Sequence, residues 1–165
     1  MDELRLTLAK LQEKFPGQIT EVSSPLGQDT AVVQRESVLA VARYLKDDLK
    51  YNFLMDCTCV DLGPGKEGRF IVVYHFYSLA NNTRVRLKAH VPENDPTIDS
   101  LTPLWGIANW YEREAWDMFG VKFKGHPNLK RLLLYEEFDG HPLRKDYPIN
   151  RQQPLLKARA GREFK

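Results

Sequence analysis

Cysteine, long apolar runs and a surplus of either charge are all scarce in this sequence of 165 residues. The two cysteines, Cys57 and Cys59, are too few for a disulfide framework, and their spacing is not that of a zinc ribbon. No stretch approaches the roughly 18 consecutive apolar residues of a transmembrane helix, so the sequence predicts no membrane span. The 24 basic and 22 acidic residues leave a formal net charge of +2, whereas domains dedicated to nucleic acid are usually strongly basic.

The sequence does contain enough apolar side chain for one folded domain. Hydrophobic residues make up 42% and aromatic residues 11% of the chain, which suffices to bury a core at this length and excludes disorder of the whole chain. In an extended strand Cys57 and Cys59 point to the same side, and we expect both to be buried thiols.

Hydrophobic periodicity predicts the element order α-ββ-α-βββ-α. The short connections between the predicted strands favour antiparallel hairpins over the long crossovers of a parallel sheet. The predicted fold class is therefore α+β, with a two-layer, mainly antiparallel sheet of about five strands packed by helices and followed by an extended C-terminal tail. The predicted elements are a helix over 4–15, strands over 18–22 and 30–34, a helix that Ser37 caps, strands over 53–61, 69–79 and 83–91, and a helix over 104–119 that Gly120 ends.

The last predicted strand alternates in character along its length. Its apolar side chains point one way and its basic side chains the other way; the basic row consists of Arg84, Arg86, Lys88 and His90. Two interpretations stay open for this row, a solvated sheet face or a docking surface for an acidic partner.

Charge and breaker residues divide the chain near residue 120. Residues 1–120 carry 13 basic and 17 acidic residues, a net charge of −4, whereas residues 121–165 carry 11 basic and 5 acidic residues, a net charge of +6. We therefore predict an α+β core domain over 1–120 and a basic, Pro/Gly-rich docking tail over 121–165. A tail of this length with so many apolar side chains is expected to become ordered by wrapping over something.

Glu114 is the first candidate for chemistry. At 100° per residue it falls on one stripe of the last helix with Ile107, Trp110, Tyr111 and Met118, where a lone carboxylate would be costly. It is then either a general base or one half of a structural ion pair. The candidate cations are Arg131 and Arg144 of the tail.

The tail contributes two further candidates. The tripeptide Gly-His-Pro occurs twice, and His126 and His141 could join Asp117 in a metal site or could hydrogen-bond from two sharp turns. The run 143–148 mixes charge and aromatics, as in an RNA-contacting arm or a segment held by ion pairs. No glycine-rich phosphate loop and no nucleophile–base pair stands out.

One long segment carries a family resemblance. The run YEREAWDMFGVKFKGHPNLKRLLL over 111–134, followed by GHPLRKDYP over 140–148, closely resembles the C or 30-kilodalton subunit of respiratory complex I, the proton-translocating NADH:quinone oxidoreductase. The residues that match the family pattern and are candidates for subunit docking are Glu112, Arg113, Glu114, Asp117, His126, Lys130, Arg131, His141, Arg144 and Asp146.

The resemblance implies that this chain is a non-catalytic subunit of a multisubunit enzyme. Members of this family lie in the peripheral arm beside the quinone-pocket (D-type) and iron–sulfur subunits, without nucleic acid and without a membrane span of their own. FMN, iron–sulfur clusters and quinone are expected in those neighbours, and no cofactor in this chain. The implied location is the cytoplasmic side of a bacterial inner membrane, or the equivalent organelle membrane.

Three alternatives stay open beside that resemblance. Related complexes that take electrons from ferredoxin, reduced deazaflavin or hydrogen use similar subunits. A stand-alone hydrolase would use Glu114 and His126 and would be active as the isolated chain. A small RNA-binding module would show salt-dependent affinity that depends on the basic residues of 143–165.

Overall fold

A computed structural model describes the backbone of residues 3–153 and the side chains of residues 6–153. The predicted fold class is confirmed, because a five-stranded sheet packs against three helices. Residues 154–165 of the predicted tail lie outside the described residues. The helices are α1 (Glu3–Lys14), α2 (Val38–Asp47) and α3 (Ala108–Phe119).

The main sheet has the strand order β1-β2-β5-β4-β3. Pairing is antiparallel between β1 and β2, between β3 and β4, and between β4 and β5, as the short connections predict. The pairing of β2 with β5 is parallel, and the residues of α2, β3 and β4 supply the long connection that a parallel pair requires. The strands are β1 (Ile19–Ser23), β2 (Thr30–Val33), β3 (Phe53–Asp61), β4 (Phe70–Ser78) and β5 (Thr83–Val91).

All three helices cover the same face of this sheet. Leu8 and Leu11 of α1, the apolar side of α2 and Ala108 and Ala115 of α3 belong to one buried cluster with the inward side chains of the strands. Cys57 and Cys59 are part of that cluster as free thiols, as expected. The opposite face of the sheet carries the basic row of β5. The two-layer arrangement thus follows from strands with one strongly apolar face.

Two short strands extend the core past residue 120. Strand β6 (Thr97–Asp99) pairs in parallel with β7 (Lys122–Lys124). Val121 and Phe123 are buried in the main cluster, so the residues that pack as core continue to Lys124. Three-residue strands are too short to be recognised by periodicity.

Helix α3 differs in its start from the prediction but ends where expected. It begins at Ala108 instead of residue 104, because residues 101–107 form separate hydrogen-bonded turns. Gly120 ends it with a left-handed φ of +78°, and a Cβ at this position would overlap the side chains of His141 and Arg144. Ser37 precedes α2, but its side chain makes no capping hydrogen bond.

No helix in the described part of the chain is long and apolar enough to cross a membrane. From residue 125 to residue 153 the described backbone forms neither helix nor strand. We call residues 125–153 the C-terminal segment. It lies across the outer side of α3 and reaches the end of the sheet at β3 and β4.

Candidate functional site

Helix α3 lies between the sheet and the C-terminal segment, and its two sides contact different partners. On the sheet side, Ala108, Glu112 and Ala115 are buried, and the hydroxyl of Tyr111 donates a hydrogen bond to the carbonyl of Met55 at 3.0 Å. The opposite side faces residues 130–146. This interface collects most of the residues that the family pattern singled out.

Asp117 is the centre of the interface. Its carboxylate is fully buried and pairs with Arg131 at 2.7 Å. The backbone amides of Leu132, Leu133 and Leu134 donate to Oδ2 at 2.9, 2.9 and 3.0 Å. Burial alone raises the pKa of Asp117, but these amides and Arg131 outweigh it, so the net pKa lies below the usual range. Asp117 therefore holds residues 131–134 of the C-terminal segment as a buried anion.

Two arginines bind backbone carbonyls across this interface. Arg113 of α3 donates to the carbonyls of Lys130 at 3.0 Å and Arg131 at 2.9 Å. Arg131 donates in turn to the carbonyl of Phe138 at 2.7 Å and lies against the ring of Trp116. Guanidinium groups suit such multiple, planar contacts. Lys130 itself contributes only its backbone, because its side chain is exposed.

The last turn of α3 is capped by the second Gly-His-Pro sequence. His141 Nδ1 donates to the carbonyl of Asp117 at 2.9 Å, and the amide of Leu143 donates to the carbonyl of Met118 at 3.1 Å. Arg144 donates to the carbonyl of Phe119 at 2.5 Å. Burial lowers the pKa of His141, which favours the neutral ring. These contacts satisfy helix carbonyls that have no intrahelical partner.

A second ion cluster joins the C-terminal segment to the sheet. Arg69 is completely buried and makes two hydrogen bonds of 2.9 Å to Asp61, and it also pairs with Glu93 at 2.5 Å and with Asp146 at 2.6 Å. The Asp61 carboxylate additionally accepts the amide of Lys145 at 2.8 Å. Arg69 holds the pKa of Asp61 and of Asp146 below their usual range.

Glu112 is the buried acid on the sheet side of α3. Its carboxyl group accepts hydrogen bonds from Ser100 Oγ and from the amide of Leu101, both at 2.6 Å, and no cation of the described residues pairs with it. Burial raises the pKa of Glu112 to about 7, which the two hydrogen bonds only partly offset. Glu112 therefore links α3 to the residues after β6.

The prediction of Glu114 as the buried acid was wrong. Glu114 is exposed, and neither Arg131 nor Arg144 contacts it, because these arginines bind Asp117 and the end of α3. The predicted stripe is rotated away from the true sheet side, since Ile107 and Trp110 are 42% and 54% exposed. The expected pairing of a helix acid with a tail arginine does occur, but at Asp117.

The interpretation of the histidines as hydrogen-bonding groups in turns is confirmed. His126 Nε2 donates to the carbonyl of Asn109 at 3.2 Å, and its Nδ1 accepts the amide of Asn128 at 3.0 Å. Gly125 and Gly140, which open the two Gly-His-Pro turns, both have positive φ. Among the residues described, no three His, Cys, Asp or Glu side chains are grouped as a metal site would require, so the alternative metal site of His126, His141 and Asp117 is not formed.

Sequence reasoning missed Arg69, Asp61 and Glu93. Their signal in the sequence is weak but present. Asp61 ends β3 and Arg69 directly precedes β4, on either side of a glycine-rich turn, so the two lie close together at the end of the hairpin. Of the predicted residues, Asp146 joins this cluster, in agreement with the interpretation of 143–148 as a segment held by ion pairs.

The chain matches the family described as "Respiratory-chain NADH dehydrogenase, 30 Kd subunit" over residues 31–153. It is 48% identical over 149 residues to the C subunit of NADH-quinone oxidoreductase from Citrifermentans bemidjiense, covering 90% of this chain and 92% of that one. It is 46% identical over 148 residues to the corresponding C subunit from Roseiflexus castenholzii, covering 88% and 84% of the two chains.

Two solved structures have a similar fold. A trypsin-resistant fragment of Nqo5 is 32% identical, with a TM-score of 0.68, and covers 78% of this chain and 100% of the fragment. A chain of the membrane-bound sulfane sulfur reductase, an archaeal respiratory membrane complex, has a TM-score of 0.74 over 90% of this chain and 88% of that chain. At 23% identity, this second likeness is one of fold alone.

Proposed function

Since the chain belongs to the family of the respiratory-chain NADH dehydrogenase 30 Kd subunit, which is the C subunit of NADH-quinone oxidoreductase, we propose that it is a non-catalytic structural and assembly subunit of that enzyme's peripheral arm. In this proposal, other subunits oxidise NADH and reduce quinone, and this chain holds those subunits in their relative positions. The enzyme as a whole is a proton-translocating oxidoreductase.

The observation that carries the proposal is the use made of the charged residues in the family pattern. Asp117, Arg113, Arg131 and His141 all bind the backbone of either α3 or the C-terminal segment. These side chains are arranged to give the C-terminal segment a defined shape on α3, which is what a docking element needs.

The proposed partners are the quinone-pocket subunit and the iron–sulfur subunits of the peripheral arm, on the cytoplasmic side of a bacterial inner membrane or the equivalent organelle side. FMN, the clusters and quinone would be bound by those partners. The thiols of this chain are poor cluster ligands, because burial raises the pKa of Cys59 to about 12 and that of Cys57 well above its usual value.

The test is purification of the affinity-tagged chain from cells that express the whole set of subunits. We expect it to migrate on a native gel with the quinone-pocket and iron–sulfur subunits, and the band to reduce quinone with NADH. The chain purified alone should show no flavin or cluster absorption and no stoichiometric metal. Quinone reduction by the isolated chain, or a tagged chain that joins no other subunit, would contradict the proposal.

A further inference from the structure

One face of the main sheet bears no helix among the described residues; we call it the open face. It consists of the outward side chains of β3, β4 and β5. In register across these strands lie Asp56, His75 and Arg86, then Thr58, Val73 and Lys88, then Val60, Ile71 and His90. Every one of the three helices contributes instead to the cluster on the other face.

Asp56 lies on the same face, in register with His75 and Arg86, but it forms no ion pair with the basic row. Among the described residues, no carboxylate lies within 4.0 Å of a cationic nitrogen of Arg84, Arg86 or Lys88. By contrast, Arg69 and Arg131, which lie inside the fold, are both paired with acids. The charges of the basic row are therefore left for water or for an acidic partner.

Arg86 is held in place by neutral acceptors. Its Nε donates to His75 Nε2 at 2.9 Å, and its Nη2 donates to Gln28 Oε1 at 2.6 Å. The first of these bonds requires an unprotonated His75 nitrogen, and burial together with Arg86 lowers the pKa of His75. The guanidinium is thus oriented without being neutralised, an arrangement that lowers the entropic cost of binding a carboxylate.

A recess of about 570 Å³ opens beside Arg86. Arg84 and His75 line it together with two acids, Asp29 and Asp56. Its volume falls within the range of sites that accept a compact ligand or a protruding side chain. Exposed apolar groups continue the face beyond it, since Phe53 is 48% and Val60 44% exposed. Protein interfaces commonly combine such features: a recess, an oriented arginine and exposed apolar side chains.

The sign of the charge distinguishes the possible occupants of the open face. Residues 154–165 of this chain carry four basic residues and one acidic residue, so they have the same sign as the basic row. A second copy packed face to face about a two-fold axis would place one basic row against another. An acidic segment from a different chain is the occupant that complements the face.

We propose that the open face binds an acidic segment of another subunit of the same assembly, with Arg86 pairing with a carboxylate and Val60 and Phe53 packing on the apolar border. This inference rests on the proposed function, because that function supplies the assembly. It adds a defined surface, on the opposite side of the sheet from α3 and the C-terminal segment.

The first experiment reverses the charge of the face in the tagged chain. In cells that express the full set of subunits, Arg86→Glu combined with Lys88→Glu should reduce the amount of chain in the assembled complex about tenfold or more. A matched control, Lys10→Glu combined with Lys66→Glu, changes the same charge at exposed positions elsewhere and should assemble as the wild type does. The circular dichroism and thermal midpoint of both purified variants establish that they fold.

The second experiment identifies the occupant without a charge reversal. Carbodiimide couples an amine directly to a carboxylate, so treatment of the assembled complex should join Lys88 to an Asp or Glu of another subunit. Lys88→Arg keeps the charge but removes the amine, and it should abolish that cross-link while leaving assembly intact. Mass spectrometry of the cross-linked peptides gives the acidic segment.

The outcomes separate this inference from the proposed function. A wild-type chain that joins no other subunit contradicts the proposed function and this inference with it. A wild type that assembles, with the doubly reversed variant assembling equally well, contradicts the inference alone. A cross-link from Lys88 to residues 154–165 or to a second copy also contradicts the inference alone.

Discussion

The two sides of α3 bury one carboxyl group each, by opposite physical means. On the sheet side, Glu112 lies in the apolar core with two hydrogen-bond donors and no cation, and burial raises its pKa to about 7. On the side of the C-terminal segment, Asp117 is equally inaccessible but has Arg131 and three amides, and its net pKa is lowered. Burial raises the pKa of both groups, but the donors outweigh it at Asp117 and offset it only in part at Glu112.

This comparison shows what each interface is made of. The sheet side is apolar, and there a carboxyl group is tolerated best in its protonated form. The interface with the C-terminal segment is built from ion pairs and from hydrogen bonds to backbone. Such an interface loses much of its stability when one charged partner is removed, because the other charge stays buried.

The largest effect is expected for Arg69→Gln, which breaks the second attachment of the C-terminal segment. It leaves Asp61 buried without its cation, beside Glu93 and Asp146. We expect a loss of about 5 kcal/mol in the free energy of unfolding, measured by urea denaturation. Lys66→Gln, an exposed position in the preceding turn, is the matched control. Equal midpoints for the two variants would refute a structural role of this cluster.

Asp117→Asn should have the next largest effect, about 4 kcal/mol, because Arg131 then lacks a carboxylate. The amides of Leu132, Leu133 and Leu134 should exchange hydrogen faster, and trypsin should cut the C-terminal segment sooner. The folded pKa of Asp117 lies below its ordinary value of 3.8, so its contribution is present at neutral pH and lost as the pH falls below about 4. The control is Asp139→Asn, an exposed acid paired with Arg151, for which unchanged exchange is expected.

Glu112→Gln tests the sheet side of α3 through the pH dependence of the free energy of unfolding. The folded pKa of about 7 exceeds the ordinary value of 4.5, so the folded state binds the extra proton and wild-type stability falls as the pH rises from 4.5 to 7. The fall should amount to about 3 kcal/mol. The amide cannot ionise, so the variant should lack this fall and exceed the wild type at pH 8. Urea midpoints at pH 5 and pH 8 that shift equally in both proteins would contradict the prediction.

The smallest effect is expected for Glu114→Gln. This side chain lies one helical turn from Asp117 but is exposed, so its replacement should change the free energy of unfolding by no more than about 0.5 kcal/mol. It should also leave the quinone reductase rate of each assembled complex unchanged, because Glu114 is not expected to be catalytic. A large loss of assembly would mean that Glu114 contacts another subunit.

Local sequence patterns predicted most of the main sheet and the C-terminal ends of α1 and α3 well. The strands over 53–61 and 83–91 occur where the sequence predicts them, because alternation and an Asn-Asn turn are properties of neighbouring residues. The side of α3 that faces the sheet could not be derived in the same way. Periodicity assigned Trp110 and Ile107 to the core because they are large and apolar, although they are exposed.

The sequence by itself determined the fold class, the buried thiols, the alternation of β5 and, through the spacing of the segment from 111 to 148, the family. These depend on residues close together in the chain. Only the tertiary structure decided which acids are buried and which cations they bind. Arg69 and Asp146 are 77 residues apart in the chain, and an ion pair at that separation forms only where the C-terminal segment, folded over α3, returns to the buried Arg69 at the end of the sheet.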